Sequence, residues 1–194
     1  SEIYGNPTIH PQPESYYGNV NHIGERSCYV EGKRIAESLC LDFNRKHKTD
    51  IRIVRIFNTY GPRMAKNDGR VISNLIYQAL LDQPITVYGD GSQTRCFCYI
   101  KDLIFGLKKI MDSDYKLPIN IGSQEELSII NLANLIKRKI NSNLKIVHRK
   151  LPNDDPMKRK PNLNLAKKII NWETKTNLEK GLDITIKYLS EGLK

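Results

Sequence analysis

Tyr29 and Lys33 stand four residues apart near the start of a long amphipathic segment, Ser27-Cys28-Tyr29-Val30-Glu31-Gly32-Lys33-Arg34. On a helix, residues four apart share a face and lie about one turn above each other. A phenol and an ammonium opening into one cleft are suited to proton exchange with an alcohol or sugar hydroxyl. The ammonium stabilises the phenolate, and the phenolate is the base. The spacing alone is weak, because an exposed helix face carries such a pair just as readily. The surrounding chain has to decide between the two.

The elements that would position this pair read as an α/β protein. From about Glu25 to Arg45, Cys28, Ile35, Ala36, Leu39, Cys40 and Phe43 keep a helical period, with Tyr29, Lys33 and Glu37 as a neighbouring stripe. Ile51 to Phe57 is short, β-branched and apolar around two arginines, which predicts a parallel strand buried on both faces. A helix followed by a buried strand is an α/β unit, and functional groups gather beyond the carboxyl ends of such strands. Asn58, Thr59, Tyr60, Gly61, Pro62 and Arg63 lie there. Further on, helices are expected over Val71–Leu81, Lys101–Met111, Ser128 (as N-cap) to Ile140, Leu163–Asn171 and Leu178–Leu193. Strands are expected over Ile85–Tyr88, Gln93–Ile100, Pro118–Gly122 and Leu144–His148, with a loop from Asn153 to Pro161. Residues 3–26, rich in Pro, Gly, Asn and Tyr, read as a long ordered loop of the kind that carries function.

Composition narrows the class. The 194 residues are 39% hydrophobic and 27% charged, in keeping with a soluble globular protein, and no apolar run reaches membrane-span length. No signal peptide is visible and a cytoplasmic protein is expected, with an upstream targeting segment left open. The chain opens without Met and in mid-motif, so a natural extension upstream is expected. Cys28 and Cys40 are twelve apart on one predicted helix and cannot bridge each other, and Cys96 and Cys98 form a CxC without a second pair at zinc spacing. No metal site and reduced, mostly buried thiols are the expectation. The net charge of +10 admits nucleic acid as a partner, but no aromatic RNA-binding motif or helix-turn-helix accompanies it. The basic clusters His148-Arg149-Lys150, Lys158-Arg159-Lys160 and Lys167-Lys168 read mainly as solvated faces, a few of them serving a phosphorylated ligand.

Several stretches carry a family resemblance. They are Ser1-Glu2-Ile3-Tyr4-Gly5, His10-Pro11-Gln12-Pro13-Glu14-Ser15-Tyr16, Tyr29 to Arg34, Arg55 to Met64, Asn67-Asp68-Gly69-Arg70-Val71, Thr86 to Arg95, and Asp154-Asp155-Pro156 through Pro161. In this order they resemble the extended short-chain dehydrogenase/reductases that act on nucleotide sugars, and within them the UDP-glucuronate decarboxylases. The resemblance implies the C-terminal part of a Rossmann-type parallel sheet plus a smaller α/β substrate-binding domain. Residues 1–62 would be the remaining part of the NAD-binding domain and 63–194 the nucleotide-sugar domain, with about 94–121 returning to the Rossmann sheet.

The resemblance also implies chemistry. NAD serves the family as a transient oxidant at C4 of the sugar, the resulting β-keto acid loses CO2, and reduction then yields UDP-xylose. Tyr29 would be the base on the C4 hydroxyl, with Lys33 as its electrostatic partner on the nicotinamide ribose. Ser1 and Glu2 would position substrate and handle a proton, and Arg95 would act near the sugar carboxylate or the diphosphate. Thr59 and Arg70 would lie on the cofactor side. Asn58, Asn74, Tyr88 and Arg159 would hold the substrate and its nucleotide. A homodimer through the helix of residues 25–45 is implied as well.

A dinucleotide site of this kind needs a Gly-rich turn to hold the pyrophosphate, and neither Gly-x-Gly-x-x-Gly nor Gly-x-x-Gly-x-x-Gly occurs in these residues. The expectation is therefore weak or no NAD binding and no turnover by this polypeptide alone, with an exposed apolar flank around Ile51–Phe57. The rivals are a nucleotide-sugar 4,6-dehydratase, a 4-epimerase, and a non-catalytic UDP-sugar-binding or scaffold module. Dehydratases usually carry Asp-Glu where this chain has Ser1-Glu2.

Overall fold

The structure, a computed structural model, describes residues 1–66 and 68–193. Asn67, in one of the motifs quoted above, lies outside the described residues. A short 3-10 helix at Glu2–Tyr4 is followed by the strap of residues 5–26 and by α1 (Ser27–His47). Then come β1 (Val54–Ile56), β2 (Thr59–Tyr60), α2 (Val71–Leu80), β3 (Ile85–Tyr88), β4 (Thr94–Cys96), β5 (Cys98–Tyr99) and α3 (Ile100–Met111). The chain closes with β6 (Ile119–Ile121), β7 (Glu126–Ser128), α4 (Ile129–Ile140), β8 (Ile146–Arg149), β9 (Lys158–Arg159), α5 (Asn164–Ile170) and α6 (Leu178–Glu191).

This is an α/β architecture dominated by parallel pairing. β1 pairs with β6, β2 with β5 and β3 with β8, all parallel. β4 lies between an antiparallel β7 and a parallel β9. Parallel pairs need long crossovers, and here helices supply them: α2 through α3 lie between β1 and β6, and α4 lies between β3 and β8.

Among the described residues three apolar clusters hold the elements, the smallest formed by Ile3, Tyr4 and Phe57. The largest packs Ile72, Leu75 and Ile76 of α2 against Ile85 and Val87 of β3, Leu132 and Ile136 of α4, and Leu182 of α6. Full burial of each such side chain contributes about 1.5–3 kcal/mol. The second centres on Trp172, with Ile110, Ile119 and Ile121. The indole Nε1 of Trp172 donates to the Asp102 carbonyl at 3.0 Å, so the buried ring leaves no polar atom unmatched. α4 begins as expected, with the Ser128 hydroxyl accepting from the Asn131 amide at 3.3 Å.

The strap is ordered because its polar groups are spent on the body of the protein. Tyr4 stacks on Tyr16, and its hydroxyl donates to Asn120 Oδ1 at 2.8 Å. The backbone of Gln12 bonds to the Lys160 carbonyl and the Asn162 amide, both at 2.8 Å. Gly5 is required at the turn: its φ is +59°, and a Cβ would sit 2.0 Å from the Asn19 carbonyl oxygen.

Four expectations need correction. Only Val54–Ile56 of the predicted 51–57 strand is paired, and Ile56 is 41% exposed rather than buried on both faces, because β1 has β6 as a strand neighbour on one side only among the described residues. Of the exposed apolar flank expected there, only Ile56 is exposed; Ile51, Ile53 and Val54 are half-buried and Phe57 is buried. Cys96 and Cys98 are buried, but Cys28 and Cys40 are exposed, since they lie on faces of α1 against which nothing packs. Burial pushes the Cys96 and Cys98 thiols up to about 12, which keeps them protonated and unreactive. The loop expected at 153–161 contains β9, and the segment before Ser128 forms β7. Both are short, polar strands that exist because β4 offers two edges. No helix of the described residues is long and apolar enough to cross a membrane.

Candidate active site

A cleft of about 1180 Å³ opens beyond the carboxyl end of β1, and every residue given a role above lines it. Ser1 and Glu2 enter from the 3-10 helix, and the Ser1 nitrogen lies 2.6 Å from the Ile56 carbonyl at the end of β1. Tyr29 and Lys33 come from the first turns of α1. The next stretch after β1 contributes Asn58 and Thr59, and the start of α2 contributes Arg70 and Asn74. Tyr88 ends β3, while Arg95 and Arg159 are register partners on β4 and β9.

The Tyr29–Lys33 pair shares a face, as the spacing predicts. The Lys33 ammonium lies 5.5 Å from the Tyr29 ring centroid, and the ring is 54% exposed toward the cleft. The helix that carries them is anchored from beneath. Glu37 forms a partly buried bidentate ion pair with Arg55 of β1, and Arg34 donates to the carbonyls of Ile3 (3.1 Å) and Tyr17 (2.6 Å). α1 is therefore oriented by side chains one and two turns beyond Tyr29, on the face opposite its exposed apolar stripe.

At the floor of the cleft an alternating chain of charges joins five residues from four segments. Arg159 pairs with Glu2, Glu2 with Arg26 at 2.9 Å, Arg26 approaches Asp155 at 4.0 Å, and Asp155 pairs with Arg95 at 3.0 Å. Burial acts to raise the Glu2 carboxyl, but the charges and hydrogen bonds of Arg159 and Arg26 outweigh it and hold it below the usual carboxylate range. Glu2 is therefore a fixed carboxylate here. Arg26 carried no assigned role in the sequence; its position three residues before Tyr29, one helical turn earlier, was the signal available. Asp155 lay in a quoted motif without a role.

Several groups are committed within the protein. The Thr59 hydroxyl donates to the Phe57 carbonyl at 2.9 Å, and Arg159 also donates to the Gly5 carbonyl at 3.1 Å. Two polar atoms on the cleft are buried without a partner among the described residues: Asn58 Oδ1, an acceptor, and Arg159 Nε, a donor. Buried polar atoms of this kind call for a hydrogen-bonding ligand or water. Arg70, Arg149 and Lys33 add positive charge to the walls, and among the described residues none of them is in an ion pair. No group of three or more His, Cys, Asp or Glu side chains able to hold a metal ion occurs among the described residues.

The fold and this cleft place the chain in a known class. Residues 1–122 match the NAD dependent epimerase/dehydratase family, and the chain belongs to that family. NAD is the cofactor of the family. Among curated proteins, it is 52% identical over 184 residues to UDP-glucuronic acid decarboxylase 5 of Arabidopsis thaliana, covering 95% of this chain and 54% of the relative. It is 47% identical over 194 residues to UDP-glucuronic acid decarboxylase 1 of Xenopus tropicalis, covering all of this chain and 46% of the relative. The chain thus spans about half the length of these relatives. Among solved structures, UDP-glucose 4-epimerase of Thermotoga maritima with UDP-glucose superposes with a TM-score of 0.93 at 25% identity, over 100% of this chain and 62% of that one. The UDP-glucuronic acid 4-epimerase of Bacillus cereus, in complex with UDP-glucuronic acid and NAD, gives 0.89 at 26% identity, over 100% and 60%.

Proposed function

We propose that this chain is the substrate-side part of an NAD-dependent UDP-glucuronate decarboxylase, which converts UDP-glucuronate to UDP-xylose and CO2 through a 4-keto sugar. One observation carries the reading. In a chain half identical to decarboxylases, the Tyr29–Lys33 pair and the Glu2, Arg95 and Arg159 charges converge on a single cleft.

In this reading Tyr29 takes the C4 hydroxyl proton, and the Lys33 ammonium stabilises the phenolate. Bound NAD would supply reversible hydride acceptance at C4, and the net change would be loss of CO2 and gain of one proton. Arg159 Nε and Asn58 Oδ1, both unpartnered, fit an anionic oxygen and a hydroxyl of the substrate. Glu2, held as a carboxylate, orients the sugar and accepts hydrogen bonds from it. Asn74 and Tyr88, both on the cleft wall, flank the nucleotide. The exposed Tyr29 phenol, the Lys33 ammonium, Thr59 and Arg70 suit the nicotinamide ribose side of NAD. The Gly-rich turn for its pyrophosphate is not among these residues.

The test is calorimetric titration of this polypeptide with UDP, UDP-glucuronate and NAD separately. Binding of UDP and UDP-glucuronate without NAD is expected. Absence of UDP binding would sink the proposal, and UDP-xylose formation by these residues alone would sink the claim that they need a partner half. Inversion at C4 without CO2 release, in a protein carrying both halves, would favour the 4-epimerase instead.

The outer stripe of α1 is assigned in the same reading to a second copy of the chain. Ile35, Leu39 and Phe43 are 60%, 52% and 54% exposed, and a Cβ on Gly32 would meet nothing within 4 Å. Such a stripe on a single helix is too apolar to face water without reason. Sedimentation equilibrium is expected to show a dimer that Leu39→Lys converts to monomer. A monomeric wild-type chain at the same concentration would count against it.

A further inference from the structure

The charge chain at the cleft floor sets three guanidinium groups against two carboxylates, so it carries one positive charge in excess. The three arginines are not equivalent. The side chains of Arg95 and Arg159 are 8% and 3% exposed, and backbone carbonyls hold them as well as carboxylates. Arg95 donates to the Thr94 carbonyl at 2.8 Å, and Arg159 to the Gly5 carbonyl at 3.1 Å. Arg26 is 40% exposed. Among the described residues its one hydrogen bond runs from Nη2 to Glu2 at 2.9 Å, and Asp155 at 4.0 Å is beyond hydrogen-bond reach. Most of the N–H donors of this guanidinium are therefore uncommitted within the protein.

The helix fixes where Arg26 stands. Its backbone is helical, and its carbonyl accepts from the Val30 amide at 3.1 Å, closing the first turn of α1. It therefore lies one turn before Tyr29, about 5–6 Å away between Cβ atoms, and both side chains line the cleft. In the proposed reaction Tyr29 meets the C4 hydroxyl. The carboxylate is borne on C5, the next ring carbon, whereas the diphosphate hangs from C1, across the ring. The substrate anion nearest Tyr29 is thus the carboxylate. Lys33, one turn to the other side of Tyr29, is a point charge beside the phenol ring, while a guanidinium matches both oxygens of a carboxylate. Partial exposure also suits a partner that departs. When the carboxylate leaves as CO2, water reaches a half-exposed guanidinium, but a fully buried one would be left without a counter-charge.

We propose that Arg26 is a specificity-determining residue of this cleft, receiving the carboxylate of an acid sugar on the N–H groups that Glu2 leaves free. The inference deepens, and rests on, the reading of the cleft as a UDP-glucuronate site. Glu2 has a part in it: with Oε1 on the buried Arg159 and Oε2 on Arg26, it aims the Arg26 guanidinium.

Calorimetric titration of the whole 194-residue chain with UDP-glucuronate, UDP-glucose and UDP, comparing wild type, Arg26→Gln and Arg26→Lys, tests this. UDP-glucose carries a hydroxymethyl group where UDP-glucuronate carries the carboxylate. Arg26→Gln should weaken UDP-glucuronate roughly ten- to a hundredfold, the value of a charge-assisted hydrogen bond. UDP-glucose and UDP should change less than about twofold. Arg26→Lys, which keeps the charge and loses the planar fork, should recover part of the difference. The same Arg26→Gln change made in a Glu2→Gln chain should still weaken UDP-glucuronate selectively. If it has no effect there, Arg26 is only the counter-ion of Glu2 and the inference is overturned. Equal weakening of all three ligands, or no weakening, also overturns it and leaves the UDP-sugar reading standing. Loss of the folded circular-dichroism spectrum in both Arg26→Gln and Arg26→Lys would make Arg26 a structural residue and overturn it as well. If wild type binds none of the three, the underlying reading fails and the inference fails with it.

Discussion

Glu37→Ala is expected to destabilise the chain by about 1–3 kcal/mol, the cost of stranding one member of a partly buried, hydrogen-bonded ion pair. The Arg55 side chain is 10% exposed and Glu37 16%. With Glu37 gone, Arg55 keeps only neutral partners: the Tyr4 hydroxyl at 2.9 Å, the Glu14 carbonyl at 2.8 Å and the face of the Tyr4 ring at 5.1 Å. The half-buried charge would remain without a counter-charge. Urea denaturation followed by circular dichroism measures the loss, and Glu37→Gln, which keeps the shape and a hydrogen bond, should fall between. The effect reaches the site because Glu37 is one turn beyond Lys33 on α1. Val30 is the one fully buried side chain of that helix, so apolar packing does little to hold it. UDP-glucuronate binding should weaken in parallel. A shift below about 1 kcal/mol would mean that the pair does not anchor α1.

The second large effect is catalytic. Tyr29→Phe is expected to lower decarboxylation by roughly 10²–10⁴-fold, the usual contribution of a positioned acid/base. Turnover needs the dinucleotide-binding residues, so the measurement belongs in a protein in which the upstream half of a UDP-glucuronic acid decarboxylase relative is joined to this chain. Phenylalanine keeps the ring under the Lys33 ammonium and removes only the hydroxyl. UDP-glucuronate affinity should therefore stay near wild type while kcat falls. Equal losses in affinity and kcat would make Tyr29 a packing residue, and unchanged kcat would remove it from the mechanism.

Much of the site was readable because its residues announce themselves locally. Tyr29 and Lys33 are one helical turn apart, and Asn58 and Thr59 follow a β-branched run whose carboxyl end is where α/β proteins collect ligands. Ile85–Tyr88 and Ile119–Ile121 formed strands for the same kind of reason, and Ser128 capped α4 as its position before an apolar run suggested. β9 is the contrary case. Lys158-Arg159 looks like solvated charge, yet Arg159 is 3% exposed and lies in a sheet. Nothing nearby in the chain signals this, because the edge it joins belongs to β4, more than sixty residues earlier.

The sequence by itself determined the α/β class, the helix that presents Tyr29 and Lys33, and the residue types that reach the cleft. These depend on periodicity, capping and strand propensity, which act between near neighbours. Only the tertiary structure decided how the charges are paired. Glu2 meets Arg159, and Asp155 meets Arg95, across separations of 157 and 60 residues. An ion pair at that distance exists only after the sheet and the strap have closed the cleft. Closure then shields each pair from most of the solvent, leaving Glu2 19% and Asp155 25% exposed. The same closure left Arg159 Nε and Asn58 Oδ1 without partners among the described residues and placed Asp155 on Arg95, and no local pattern in the chain encodes either outcome.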